Sequence, residues 1–248
     1  MMCHYLPQVE NVEDKDWIQH VQSTWKPQII GDLTILFPWH NAGLSKTSKK
    51  LVLEGGAAFG TGDHPTTRLC CRWLEKILSK KELAENLTLL DYGCGSAILG
   101  LAALKYGAYS ASGVDIDADA LCSARNNCEL NNLDMDLYIT MDTDTPEAWP
   151  TTPSNGKIEE NFKSVSEING RFFDIIVANI LAPTLLVLLK ELASKTGKGG
   201  YIGVSGIVNE QSEKIISHYS KYFDSFAVES TEEGWVLLTG KRNEVPIQ

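Results

Sequence analysis

The chain is predicted to be an α/β protein with a Rossmann-like, mostly parallel sheet closed by an antiparallel edge pair. Three observations predict it. The run 88–117, TLLDYGCGSAILGLAALKYGAYSASGVDID, reads strand, glycine turn, helix, strand, the β-α-β unit of an open parallel sheet. The run 172–178, FFDIIVA, is continuously apolar, as a central parallel strand buried on both faces should be. Two further runs near the end, Ser225–Glu229 and Trp235–Gly240, supply the antiparallel edge pair that such sheets usually carry. At 248 residues the chain suits one full α/β domain and an appendage.

Residues 1–50 read as a helix and connector rather than a domain, with the main domain over 51–248. Trp17, Ile18, Val21 and Trp25 recur at helical spacing until Pro27, which predicts a short amphipathic helix. Two small strands follow, Gln28–Ile30 and Leu33–Phe37. After the apolar Leu51–Leu53, the stretch 55–67 holds four glycines and a proline in 13 residues. It denies itself regular structure and runs into a helix starting near Thr66 or Thr67, whose Leu69, Trp73, Leu74, Ile77 and Leu78 form a core-facing stripe. Hydroxyl residues at that helix start fit a cap.

In the β-α-β unit, the apolar run Thr88–Leu90 ends in Asp91 and turns through Gly93 and Gly95. The helix Ile98–Tyr106 stops at Gly107, a C-cap residue. A strand around Ala111–Val114 then delivers Asp115. A helix from Asp117 to about Leu130 and a strand Leu137–Thr140 follow. Residues 143–169 carry three prolines and little apolar periodicity and read as a flexible insertion. The 172–178 strand delivers Asn179-Ile180-Leu181-Ala182. Next come a helix Leu185–Lys195, a glycine turn 197–200, a strand Tyr201–Ser205 and a helix Asn209–Tyr222.

Composition narrows the function classes. The chain is 43% apolar, and 22 Lys and Arg against 32 Asp and Glu leave a formal charge of −10. That disfavours a nucleic-acid polyanion as main partner and suits a basic one. Nine acids and two lysines between Glu129 and Gly170 hold most of the excess, as a solvated acidic loop would. The six cysteines show neither C-x-x-C nor Cys/His ligand spacing, so no metal is expected and free thiols suit a reducing compartment. No run reaches about 18 apolar residues and no secretory signal opens the chain. The expected location is the cytoplasm, or a mitochondrion or plastid if the N-terminus is truncated or processed.

The glycine turn carries the chemistry. Glycines between strand and helix let a ligand approach the backbone. An acid ending the next strand, 22 residues after Gly93, can accept hydrogen bonds from two ribose hydroxyls. A nucleoside-containing cofactor is therefore expected. A dinucleotide fingerprint would need Gly or Ala where Ile98 stands, and a P-loop would need Gly-Lys-Ser/Thr. The remaining pattern, Asp-x-Gly-x-Gly-x, is typical of S-adenosylmethionine-dependent methyltransferases of the Rossmann-like class I fold.

FGTGDHPTT, LLDYGCGSAILGLAALKYGA, GVDIDADAL and FDIIVANIL, in this order, strongly resemble the PrmA family. The family methylates the eleventh large-subunit ribosomal protein. The resemblance runs from Trp17 to about Arg242, and the closing EGWVLLTGKR looks like the family's last strand pair. Ala97 stands where the family's GCGSG has its last glycine, and Asp63 fills a variable position. The family also has a separate N-terminal domain that grips its substrate, and residues 1–50 resemble only the connector after it. By resemblance, then, the chain is a methyltransferase without that domain.

The resemblance implies that S-adenosylmethionine is held by Thr67, Gly93, Gly95 and Asp115, with Phe59, Gly60, Thr61 and His64 lining the same pocket. It makes Asn179 the catalytic residue, placed near the methionine end and orienting an amine. The substrate amines would be lysine side chains or an N-terminal amine. His64 reads as a structural residue before Pro65 rather than a base. A nucleic-acid amino methyltransferase often carries Asn-Pro-Pro-aromatic where this chain has Asn179-Ile180-Leu181-Ala182 and no aromatic. Direct nucleic-acid binding is therefore not expected. The alternatives are a methyltransferase of another basic protein and a non-catalytic binding module with this fold.

Overall fold

A computed structural model describes residues 25–41, 43, 47–54, 62–79, 86–140 and 162–247. The expected helix around Trp17, Ile18 and Val21, and residues 55–61 and 143–161, lie outside the described residues.

A small sheet comes first, from β1 (Gln28–Ile30), β2 (Leu33–Leu36) and β3 (Lys49–Val52). β1 and β2 form an antiparallel hairpin turning at Gly31, where φ is +56°, and β3 pairs parallel to β2. The boundary read at residue 50 falls inside β3, so strand pairing runs across it.

The main sheet uses β4 (Thr88–Tyr92), β5 (Ser110–Asp115), β6 (Asp136–Ile139), β7 (Lys163–Ser164), β8 (Phe173–Asn179), β9 (Thr196–Val208), β10 (Phe223–Glu232) and β11 (Trp235–Arg242). Their order is β10-β11-β9-β8-β4-β5-β6-β7. β4 to β9 run parallel, while β11 is antiparallel to β9 and β10 to β11. The helices are α1 (Pro65–Leu78), α2 (Ile98–Tyr106), α3 (Ala118–Asn131), α4 (Ala182–Lys195) and α5 (Ser212–Tyr219).

Period-two alternation sends the central strands into two cores. From β8, Ile175 and Val177 join the layer with α1, α2 and α3, whereas Ile176 and Ala178 join the layer with α4 and α5. All four are fully buried. Burying an Ile or Val side chain contributes about 1.5–3 kcal/mol, so this strand fixes the sheet's centre. α1 lies close to β9 because Gly203 has no side chain: a Cβ there would sit 2.6 Å from the Trp73 ring.

Several boundaries differ from expectation for local reasons. The glycine turn 197–200 is a bulge inside β9, not a separate turn, because the register jumps from Phe173↔Thr196 to Ile175↔Tyr201. Within the stretch read as an insertion, the described residues 162–169 hold regular structure. Lys163–Ser164 pair with β6, and a 3-10 turn, Val165–Ile168, buries Ile168 under a Ser164–Glu167 capping box. The helix expected over 209–222 opens as a 3-10 turn, Asn209–Gln211, and ends at Tyr219.

Candidate functional site

β4 has β5 on one side and β8 on the other. From β4 the chain steps out through β5, β6 and β7 on one side and then returns to lay β8 on the other, so a crevice opens at the carboxyl ends of β4 and its neighbours. The glycine turn after β4 fills it. Gly93, Gly95 and Ala97 all have left-handed backbones, with φ of +75°, +52° and +62°. The amides of Gly93 and Cys94 both donate to the Val114 carbonyl, at 2.7 and 3.0 Å, which pins the turn to β5. A Cβ on Gly93 would lie 2.4 Å from Ile180 Cγ2. Ala97 occupies the N-cap of α2 without a capping side chain. For an L-residue that backbone costs roughly 1–2 kcal/mol, the physical reason a glycine suits this position.

Asp115 ends β5, half-buried. Its Oδ2 accepts the Gly95 amide at 2.8 Å and its Oδ1 the Asp117 amide at 3.0 Å. Burial raises its pKa, while backbone amides of Asp117, Gly95 and Ile116 oppose that rise. Each oxygen keeps lone-pair capacity for a further donor. The two bonds therefore orient the carboxylate without exhausting it.

Asp91, fully buried on β4, accepts the Gly100 amide at 2.9 Å through Oδ2. Its Oδ1 has no hydrogen-bond partner among the described residues. Burial pushes its pKa up to about 8, against the Gly100 bond and with help from the charge of Asp115. Asp91 thus ties α2 to β4 beneath the turn.

Asn179 ends β8 in the same crevice. Its Nδ2 donates a long hydrogen bond, 3.5 Å, to the hydroxyl of the buried Thr67 on α1. Its Oδ1 is shielded from solvent and without a partner among the described residues. An orphaned buried acceptor costs about 1–3 kcal/mol, a cost that a ligand N–H would remove. His64 is the N-cap of α1: Nδ1 accepts the Thr66 amide at 3.3 Å and lies 2.7 Å from the Thr66 hydroxyl. The His64 ring meets the edge of Trp235 with centroids 4.8 Å apart. This geometry is that of a structural cap.

Thr67, Gly93, Gly95, Asp115 and Asn179 therefore gather at one end of the sheet, with His64 capping the helix that brings Thr67. Phe59, Gly60 and Thr61 lie outside the described residues.

Supporting residues here escaped sequence reading. The Ile180 amide donates to the Ser205 carbonyl at 3.1 Å, and a Cβ on Gly206 would lie 2.4 Å from the Ile180 carbonyl oxygen. β9 thus holds the turn after Asn179. A glycine just beyond an apolar strand was the only signal for it. Asn127 on α3 bonds to Ser96 and Glu54; its signal was a polar residue on the buried face of a helix. Arg68 and Arg72 on α1 bind Glu232 at 2.6 Å each, and Arg68 also reaches Glu233 at 2.8 Å. Those guanidiniums hold Glu232 below the usual carboxylate range against its burial, and they fasten α1 to the β10–β11 hairpin.

A parallel sheet with a glycine turn at its switch point, an acid ending the next strand and an antiparallel final pair defines the Rossmann-like class I fold of S-adenosylmethionine-dependent methyltransferases. Residues 4–243 match the family model described as Ribosomal protein L11 methyltransferase (PrmA). The chain belongs to that family. It is 42% identical over 234 residues to the ribosomal protein L11 methyltransferase of Neisseria meningitidis serogroup C, covering 94% of this chain and 68% of the relative. The Chromobacterium violaceum relative of the same name is 40% identical, again over 94% of this chain and 68% of its own length.

Among solved structures, the ribosomal protein L11 methylase of Lactobacillus delbrueckii subsp. bulgaricus superposes with a TM-score of 0.66 at 28% identity, covering 89% of this chain and all of that one. A T. thermophilus 16S rRNA methyltransferase in complex with AdoMet and guanosine shares the fold, with a TM-score of 0.54 at 21% identity over 75% of this chain and 45% of its own.

Proposed function

We propose that the chain transfers methyl groups from S-adenosylmethionine to amines, lysine side chains or an N-terminal amine, of ribosomal protein L11. The observation that carries this reading is the pair of site groups with capacity left over. Asp115 is oriented by backbone amides and keeps lone-pair capacity on each oxygen, and Asn179 holds a solvent-shielded oxygen without a partner among the described residues in the same crevice. Names of relatives in the family supply the protein substrate.

The residues fit the cofactor. Gly93 and Gly95 would let it approach the turn, Asp115 would accept the ribose hydroxyls, and Thr67 and Asn179 would face its methionine end. Bound there, the cofactor supplies a methyl group already activated on a positively charged sulfur. Asn179 would accept an N–H of the incoming neutral amine, directing the nitrogen lone pair in line with the methyl group. The long bond from Nδ2 to the Thr67 hydroxyl leaves Oδ1 as the group of Asn179 that could serve as that acceptor. The Asn179 oxygen would lie beside the nitrogen that gains the methyl group and positive charge, and the resulting ammonium would release its proton to solvent. A carbonyl acceptor suits this sequence because it stabilises the developing ammonium without itself titrating.

Calorimetric titration with S-adenosylmethionine tests the site. Asp115→Ala should weaken binding about tenfold or more, about 1.4 kcal/mol. Labelled-methyl transfer to ribosomal protein L11 should proceed with the wild-type chain and collapse in Asn179→Ala. A folded wild-type chain that binds no S-adenosylmethionine would sink the reading.

A further inference from the structure

We propose that Asn127 is a positioning residue for cofactor binding, setting the spacing between the glycine turn and the segment at Glu54 that follows β3. The inference rests on the S-adenosylmethionine reading above.

Asn127 is fully buried on α3. Its Nδ2 donates to the Ser96 carbonyl at 2.9 Å, and its Oδ1 accepts the Glu54 amide at 2.6 Å. One side chain therefore spans two backbone segments far apart in sequence. Ser96 sits between Gly95, whose amide holds the Asp115 carboxylate, and Ala97, whose left-handed backbone starts α2. Moving the Ser96 carbonyl swings the peptide groups on either side of it, so the bond from Asn127 reaches the orientation of Asp115 through one intervening residue.

The other buried positions of α3 are Ala118, Leu121, Ala124 and Cys128. An apolar residue at 127 would complete that face, and a buried amide is tolerated only when its groups are bonded. Asn127 meets that condition only with both segments in place.

Asn131, one turn further on, is the internal comparison. Its Oδ1 accepts the Val52 amide at 2.8 Å, and its Nδ2 donates to the Val52 carbonyl at 2.6 Å and the Asn127 carbonyl at 2.7 Å. It fastens β3 to the same helix without touching the glycine turn. Asn126 likewise holds Glu54, through its carboxylate at 3.0 Å.

The test compares Asn127→Ala, Asn127→Asp and Asn131→Ala in the full chain by thermal denaturation, S-adenosylmethionine calorimetry and methyl-transfer kinetics. Asn127→Asp is isosteric, keeps an acceptor for the Glu54 amide and loses the donor to Ser96. It therefore carries the test if the alanine variant does not fold. Both Asn127 variants should weaken cofactor binding about tenfold and raise the cofactor KM while keeping most of kcat at saturation. Asn131→Ala should lose stability with cofactor affinity within about threefold of wild type. Wild-type affinity in a folded Asn127 variant overturns the proposal, and so does an equal loss in Asn131→Ala, which would mean general loosening. A wild-type chain that binds no S-adenosylmethionine overturns the functional reading itself, and this proposal with it.

Discussion

The carboxylate of Asp115 accepts the backbone amide of Gly95 at 2.8 Å, so the acid ending β5 is fastened to the turn that ends β4. The two halves of the site are therefore one hydrogen-bonded unit. Burial raises the Asp115 pKa, and three backbone amides restrain the rise.

Cofactor affinity should follow the ionisation of Asp115. Ribose hydroxyls donate to a carboxylate, so affinity should fall as pH drops through this raised pKa. The stability contribution has the opposite sign. A carboxyl whose folded pKa lies above its unfolded value contributes fully below the unfolded pKa and loses that contribution as pH rises through the folded one. Calorimetry in a descending pH series, from neutrality down to the ordinary carboxylate value of 3.8, should give progressively weaker binding for wild type and weak binding throughout for Asp115→Asn. A wild-type affinity that stays flat down to that value would contradict the assignment.

Asp91 makes a sharper stability prediction. Its ordinary pKa of 3.8 is pushed to about 8 by burial, so the native state holds a proton that the unfolded chain releases. Stability from this group should be full below about pH 4 and decline by up to about 1.4 kcal/mol per pH unit towards pH 8. Asn cannot titrate, yet it can still accept the Gly100 amide. Denaturant melts across this range should therefore show a flatter pH dependence for Asp91→Asn than for wild type, with the variants diverging most at the alkaline end.

Where the structure obeys short-range rules, the sequence reveals it. The Ile98–Tyr106 helix ends at Gly107 with φ of +108°, as a C′ glycine should, and the Asp91-to-Asp115 unit lies where strand, turn and helix signals put it. Residues answering to tertiary neighbours are less legible. The 197–200 bulge looks like a turn because four residues of mixed glycine and lysine carry no pairing information. Asn127 stands out only as a polar residue on the buried face of α3, and nothing local says that Ser96 and Glu54 flank it. His64 belongs to a motif that suggests chemistry, while its nitrogen is engaged in capping α1. Ala97 shows the reverse case: its sequence change is small, but the strain of its left-handed backbone is visible only as a dihedral angle.

Gly206 should be intolerant of any side chain. Its φ of +85° already disfavours L-residues, and a Cβ would meet the Ile180 carbonyl oxygen at 2.4 Å and its carbon at 2.7 Å. Both neighbours are backbone, so the turn after Asn179 must move. Gly206→Ala should cost about 2–4 kcal/mol and reduce methyl transfer in protein that remains folded. Gly107→Ala has nothing within 4 Å of its Cβ at a similarly positive φ. It should show the backbone cost alone and keep its activity.

Arg242 should prove the main fastener of the C-terminal end. It is buried on β11, and among the described residues its guanidinium donates only to neutral oxygens: Nε to Ala193 at 3.1 Å, Nη1 to Tyr222 and Asn243, and Nη2 to Val245 at 2.8 Å. Five bonds in a planar fork tie α4, the end of β11 and the residues after α5 to one side chain. Arg242→Met keeps the apolar stem and strands those carbonyls, so about 3 kcal/mol or more should be lost, a fall of roughly 6–12 °C in melting temperature. Arg242→Lys should recover little, because one ammonium cannot reach acceptors on both sides of the fork. Cofactor affinity should stay at the wild-type value in both folded variants, since these contacts lie on α4, β11 and the chain beyond α5 rather than on the glycine turn. A Lys variant as stable as wild type would show that the positive charge, and not the fork, holds this end.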